Sequence, residues 1–188
     1  MKLQSLRKNK KTPSKVWCHL PGVTHGFTLI ELLLYVSIAS IMLLVTSLFL
    51  STLLQSRIKN QTIAEVEQQG LQVMQIVTQA VRNTDTINSP AQGASAASLS
   101  LNTYTVGNNP TVFDLSSGTI RIKEGAAAVI PLFNSRLTAS ALTFQNLSRT
   151  STPGTVRIQF TLTHVNPEGR NEYSFTKTFI GSATLRQP

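Results

Sequence analysis

The sequence predicts an α+β fold: one long N-terminal α-helix, apolar in its first half and amphipathic in its second, packed on a C-terminal antiparallel β-sheet. Three observations carry that expectation. The stretch "HGFTLIELLLYVSIASIMLLVTSLFLSTLL", residues 25–54, is apolar over a length that matches a bilayer. Beyond it, apolar residues recur at spacings of three and four, and near the C-terminus "TVRIQFTLT" alternates strictly between apolar and polar. The chain of 188 residues fits one domain of ordinary size.

Charge separates the chain into a leader and the rest. Of the formal net charge of +9, Lys2, Arg7, Lys8, Lys10, Lys11 and Lys15 supply +6, with no acid among them, and everything after Gly26 supplies the remaining +3. Such a remainder is an ordinary solvated surface rather than a basic face for phosphates. The single cysteine, Cys18, lies in the basic leader, so the residues after Gly26 cannot close an internal disulfide.

The membrane element comes first along the chain. From Leu32 to Leu54 there is no charged residue, and roughly 20 residues suffice for a helix to span the hydrocarbon core. The basic leader precedes this run, while Arg57 and Lys59 after it are soon offset by Glu65 and Glu67. The positive-inside rule then places the N-terminus in the cytoplasm and the bulk of the chain outside. A cleaved secretory signal is the competing reading, but the apolar segment is too long for one. Leu53, Leu54, Gln55 and Arg57 also offer no small-x-small cleavage site.

Glu31 is the anomaly. An acid at the bilayer centre costs roughly 2.5 to 3.5 kcal/mol even on lenient scales, and intramembrane ionisable groups usually have a partner. Glu31 at the interface, favoured by the positive end of the helix dipole, is the plainer explanation. Its neighbours point further. Gly26, Phe27, Thr28, Leu29, Ile30 and Glu31, after a basic leader and before a membrane-length helix, resemble the processing motif of type IV prepilins and type II secretion pseudopilins.

That resemblance implies a pilin-like fold and a definite set of site residues. A prepilin peptidase cuts between Gly26 and Phe27, and Phe27 becomes the N-methylated first residue. The new amine would be a costly unpaired cation in or near hydrocarbon, and the Glu31 carboxylate one turn along can neutralise it. In the family this pairing of Phe27 with Glu31 links neighbouring subunits in a filament. The implied partners are the peptidase, other pilin or pseudopilin subunits, an inner-membrane assembly platform and membrane lipid. A leader of this length is closer to type IVb prepilins than to pseudopilins, and His25 stands where Lys or Arg is usual. With no proline from Leu32 to Leu54, the helix suits a minor subunit or a pseudopilin.

The helix continues past the membrane run. Ile63, Val66, Gly70, Val73, Val77 and Val81, flanked by Met74 and Ala80, form one apolar face; Gln61, Glu65, Gln68, Gln72, Gln75 and Gln79 form the opposite one. The apolar stripe serves either the protein's own sheet or a partner. Gly70 costs roughly 1 kcal/mol in a helix interior, which a close approach by another backbone would explain. Pro90 forbids continuation, so the helix is expected from Phe27 to about Asn83, about 85 Å long at roughly 1.5 Å per residue. Within the membrane half, Ser37, Ser40, Ser47 and Ser51 either let neighbouring helices approach or bond to their own helix carbonyls.

The domain layout follows: a cleaved leader over 1–26, a membrane and assembly helix over 27–54, its amphipathic extension over 55–84, a connecting loop region over 85–118 and a sheet head over 119–188. In the head, "TIRI", a Gly125 turn and "AVIPLF" predict one hairpin, and Leu142 with Phe144 a short strand. Val156, Ile158, Phe160 and Leu162 predict the strongest strand, with a turn at "NPEG" and a return through Tyr173, Phe175 and Phe179.

No catalytic constellation is visible. After Gly26 there is one histidine, His164, expected on the surface, and no cysteine, so metal or thiol chemistry lacks ligands. Asp114, Glu124, Glu168 and Glu172 are scattered, without calcium-loop spacing, and Glu168 and Glu172 around Arg170 read as a solvated turn. The reading is a structural subunit, not an enzyme, with no cofactor. An alternative is a DNA-uptake pilin gripping phosphate through Arg121, Lys123, Arg149, Arg157 and Arg170. A third is a plain single-span membrane protein in which the motif is coincidental, which leaves Glu31 and the basic leader without a role.

Overall fold

The computed structural model describes residues 26–186; the basic leader, with Cys18 and His25, lies outside the described residues. Among the described residues one α-helix, α1, runs Leu29–Arg82, within two residues of its expected ends. The chain divides into two compact units between Thr46 and Ser47. In the first, the apolar side chains of α1 are exposed, and the most apolar 18-residue window of the helix buries none of its surface in the protein. Water could not tolerate such a surface, and lipid can.

In the second unit α1 meets two antiparallel sheets. Val66, Val73, Val77 and Val81 are at most 1% exposed, the stripe expected from their spacing, and burying each contributes roughly 1.5 kcal/mol or more. The stripe serves the protein's own sheets. Its start is shifted from the expected one: Thr62 is buried where Ile63 is only half-buried. Thr62 can afford burial because its hydroxyl donates to the Ile58 carbonyl at 3.1 Å.

Among the described residues the sheets hold nine strands: β1 Thr84–Ser89, β2 Ser95–Ala96, β3 Leu99–Thr103, β4 Thr111–Ser116, β5 Thr119–Glu124, β6 Ile130–Pro131, β7 Leu137–Asn146, β8 Thr155–His164 and β9 Thr176–Thr184. One sheet has the order β1-β3-β4-β5-β6 and the other β2-β7-β8-β9. Their inner faces share one core with the helix, including Leu99, Leu101, Phe113, Ile120, Phe144, Ile158 and Phe160.

Several expectations need correction. The stretch 85–118 is not mainly a connection: most of β1 and all of β2, β3 and β4 lie in it. Its strands are short and bury few apolar side chains (Leu99, Leu101, Phe113), with Thr84 and Thr111 also turned inward, so the hydrophobic alternation that reveals a strand is faint. The short strand expected around Leu142 and Phe144 is the far end of the ten-residue β7. A bulge between Ser140 and Thr143, with Ala141 at φ +53°, shifts the buried set from Leu137 and Ala139 to Leu142, Phe144 and Asn146. A bulge inserts one residue and flips the alternation, which hides the continuity of the strand.

Other elements stand where the pattern put them. β8 buries Val156, Ile158, Phe160 and Leu162 completely. The β5–β6 hairpin pairs Ile122 with Ile130. In "NPEG" the Gly169 amide donates to the Asn166 carbonyl at 3.3 Å, with Gly169 at φ +65°. The return is looser than expected: Tyr173 belongs to a short 3-10 turn, Asn171–Tyr173, and only Phe179 lies within β9.

Gly70 has a different cause from the backbone approach expected. A Cβ there would stand 2.0 Å from Cζ of Phe179 on β9. An aromatic edge, not a backbone, fills the space.

Candidate functional site

The start of α1 carries the chemistry that the sequence singled out. Thr28 precedes the first helical residue and caps it: the Glu31 amide donates to the Thr28 hydroxyl at 3.3 Å, and the Leu32 amide to the Thr28 carbonyl at 3.1 Å. Four helix-start amides lack partners in any α-helix, and a threonine in this place satisfies one with its side chain. Thr28 and Glu31 have the spacing of a capping box, T-x-x-E, which also sets the acid in the first turn, where the helix dipole favours negative charge. That spacing is legible in the sequence, but the capping role of Thr28 was not among the expectations.

The residues of interest lie together at this end. Gly26 precedes the helix with no heavy atom within 4 Å of where a Cβ would stand. Phe27 is 73% exposed. Glu31 is half-buried, and among the described residues its carboxylate meets one side-chain donor and no cation. That donor is the Tyr35 hydroxyl, 3.4 Å from Glu31 Oε1. The Tyr35 ring in turn meets the Phe27 ring edge-on, with centroids 6.1 Å apart at 70°. Tyr35 is the neighbour that Gly26 to Glu31 alone do not reveal; its i, i+4 spacing from Glu31 is the signal that could have found it.

Further along the same unit, the Ser37 hydroxyl donates to the Leu34 carbonyl and the Ser40 hydroxyl to the Ser37 carbonyl, both at 2.8 Å. For these two of the four serines, the bond to their own helix is the one formed.

The second unit holds the other residues that the sequence singled out. His164 is not a surface residue: its side chain is 9% exposed, stacked on Tyr173 at 5.7 Å and 17°. Its Nε2 lies 3.8 Å from Glu65 Oε2, and Glu65 also accepts a 2.7 Å hydrogen bond from Asn134 Nδ2. Glu65 therefore faces the head and not solvent, because its helical position borders the buried stripe. Around Arg170, Glu168 is exposed, but Glu172 keeps only 11% of its side chain open. A hydrogen bond from its own backbone amide, then one from Arg170, hold the Glu172 carboxyl below the usual range.

Two of the five basic residues considered for phosphate are paired with acids. Arg121 on β5 is held bidentate by Asp114 at 2.9 and 2.7 Å, a contact that raises its pKa further, and Arg170 is held by Glu172. Lys123, Arg149 and Arg157 are exposed on β5, on the β7–β8 loop and on β8. Among the described residues no group of three or more His, Cys, Asp and Glu side chains is arranged to hold a metal.

Comparison with known families agrees with the helix start. Residues 23–47 match the model of the prokaryotic N-terminal methylation motif. No curated protein and no solved structure matches the chain. The motif implies processing by prepilin peptidase and assembly with other pilin subunits, and the apolar half of α1 fits a single-pass membrane anchor. The same motif points to a structural subunit. The chain carries the prepilin-type N-terminal methylation motif of the type IV pilins and pseudopilins, on a long helix packed against antiparallel sheets.

Proposed function

We propose that this chain is a minor pilin or pseudopilin, a structural subunit of an extracytoplasmic filament of a type IV pilus or type II secretion system. The leader 1–26 is removed between Gly26 and Phe27, Phe27 is N-methylated, and residues 27–54 hold the subunit in the inner membrane. Residues 55–84 extend the helix, and the head lies on the extracytoplasmic side. The assembly platform draws the subunit from lipid into the filament. The observation that carries this reading is Glu31: a carboxylate at the start of an apolar helix, among described residues with no cation, four residues from the position that cleavage turns into an amine. An incoming subunit docks that amine on the Glu31 of another, which removes two unpaired charges from hydrocarbon at once. The absence of proline between Leu32 and Leu54, in a helix unbroken to Arg82, supports a minor subunit or pseudopilin.

Glu31→Leu tests the pairing. Membrane insertion and leader removal should persist, read as a mature mass beginning at methylated Phe27, while incorporation into filaments is lost. Wild-type incorporation of the Leu variant would overturn the reading. DNA uptake is not favoured, since Arg121 and Arg170 already spend their charge on carboxylates.

A further inference from the structure

We infer that Tyr35 is a positioning residue for Glu31, holding its carboxylate on the face of the helix where the amine of Phe27 must be met. This rests on the charge-pair reading above and adds to it a residue that the reading does not use. Glu31 and Tyr35, spaced i and i+4, share one face of α1, and the ring of Phe27, just before the helix start, meets that face at Tyr35, so the three side chains form one stripe. Tyr35 touches both of the others: its hydroxyl donates to Glu31 Oε1 at 3.4 Å, and its ring receives the Phe27 ring edge-on at 6.1 Å. Each contact does separate work. The hydrogen bond gives the acid a donor in a medium that offers no water, and it restricts the Glu31 side chain to rotamers directed along the stripe. The aromatic contact fixes the residue whose amine is to be paired.

Tyr35 is suited to this because its phenol is neutral. A lysine or arginine at the same place would neutralise Glu31 within its own chain and leave nothing for a neighbouring amine. A leucine would leave the carboxylate with no donor from this stripe and free to rotate. The hydroxyl occupies the acid without cancelling its charge, so an arriving cation still gains by binding.

The test uses the full chain expressed in a cell that assembles the filament. Tyr35→Phe keeps the ring and removes only the donor. Its incorporation, measured as the filament fraction over the membrane fraction, should fall roughly two- to threefold, the low end of the worth of a hydrogen bond, because 3.4 Å is long for a hydroxyl donor. Leader removal should be unchanged. The isotope-edited infrared carboxyl band of Glu31 in reconstituted bilayers should shift in Tyr35→Phe. If Glu31→Leu abolishes incorporation while Tyr35→Phe assembles as wild type with an unshifted band, the role of Tyr35 is refuted and the charge pair stands. If Glu31→Leu assembles normally, the charge pair fails, and the role of Tyr35 with it.

Discussion

Gly70 offers the sharpest test of how the helix is joined to the head, because two physical effects predict opposite signs for Gly70→Ala. Intrinsic helix propensity favours the alanine by roughly 1 kcal/mol. Packing opposes it. The added Cβ would stand 2.0, 2.3 and 2.5 Å from three ring atoms of Phe179, where carbon contacts normally lie at about 3.5–4.0 Å, so the ring must withdraw by roughly 1.5 Å. It has little room. Phe179 is stacked on Phe160 at 5.3 Å and 19°, and Phe160 is completely buried. Overpacking of this kind costs typically 1–3 kcal/mol, and a clash with three atoms of a braced ring belongs near ~3. Subtracting the propensity gain leaves a net loss of about 2 kcal/mol, or about 4 to 8 °C in the melting temperature of a chain of this size. Thermal unfolding of full-length protein in detergent micelles, followed by far-ultraviolet circular dichroism, reads the shift. Phe179→Leu removes the ring edge, so Gly70→Ala should cost less in that background than in the wild type. A variant as stable as the wild type, or more so, would show that the ring does not hold Gly70 in place.

The parts of this fold that were legible in the sequence are those where one side-chain period runs unbroken. The valine stripe of α1 and the alternation in β8 each repeat often enough to declare a buried face. The half-buried Ile63 and the inward Thr62 show the limit of that reasoning at an element's end, where one hydrogen bond decides which neighbour is covered. β7 escaped because its bulge reverses the alternation midway, and β1 because an edge strand whose one apolar residue, Ile87, is only partly covered is held by backbone pairing, which leaves no trace in side-chain type. The helix start was legible for a different reason. Gly26, Phe27 and Glu31 are contiguous, so no folding is needed to bring them together. Contacts between distant elements were not legible: His164 with Glu65, or Phe179 with Gly70, depends on which strand the helix crosses, and until the crossing is known His164 and Glu65 read as polar surface and Gly70 as a weak spot.

The segment between β8 and β9 yields two further predictions. Because the Glu172 carboxyl is held below its ordinary range, its contribution to stability is present above the unfolded value and is lost as pH falls through the lower folded value. An NMR titration of the Glu172 carboxyl carbon should show that depressed midpoint, and Arg170→Met should move it upward; a midpoint indifferent to Arg170 would remove the guanidinium from the explanation. Lys59 secures the same segment from the helix side, donating to the Asn171 carbonyl at 3.0 Å and to the Ser174 carbonyl. A charged donor on two carbonyls at an exposed site is worth about 1 kcal/mol after solvent screening, so Lys59→Met should speed amide exchange across residues 171–175 roughly fivefold while leaving β8 protected; unchanged exchange there would mean that Tyr173, stacked on His164, anchors the segment without help from the lysine.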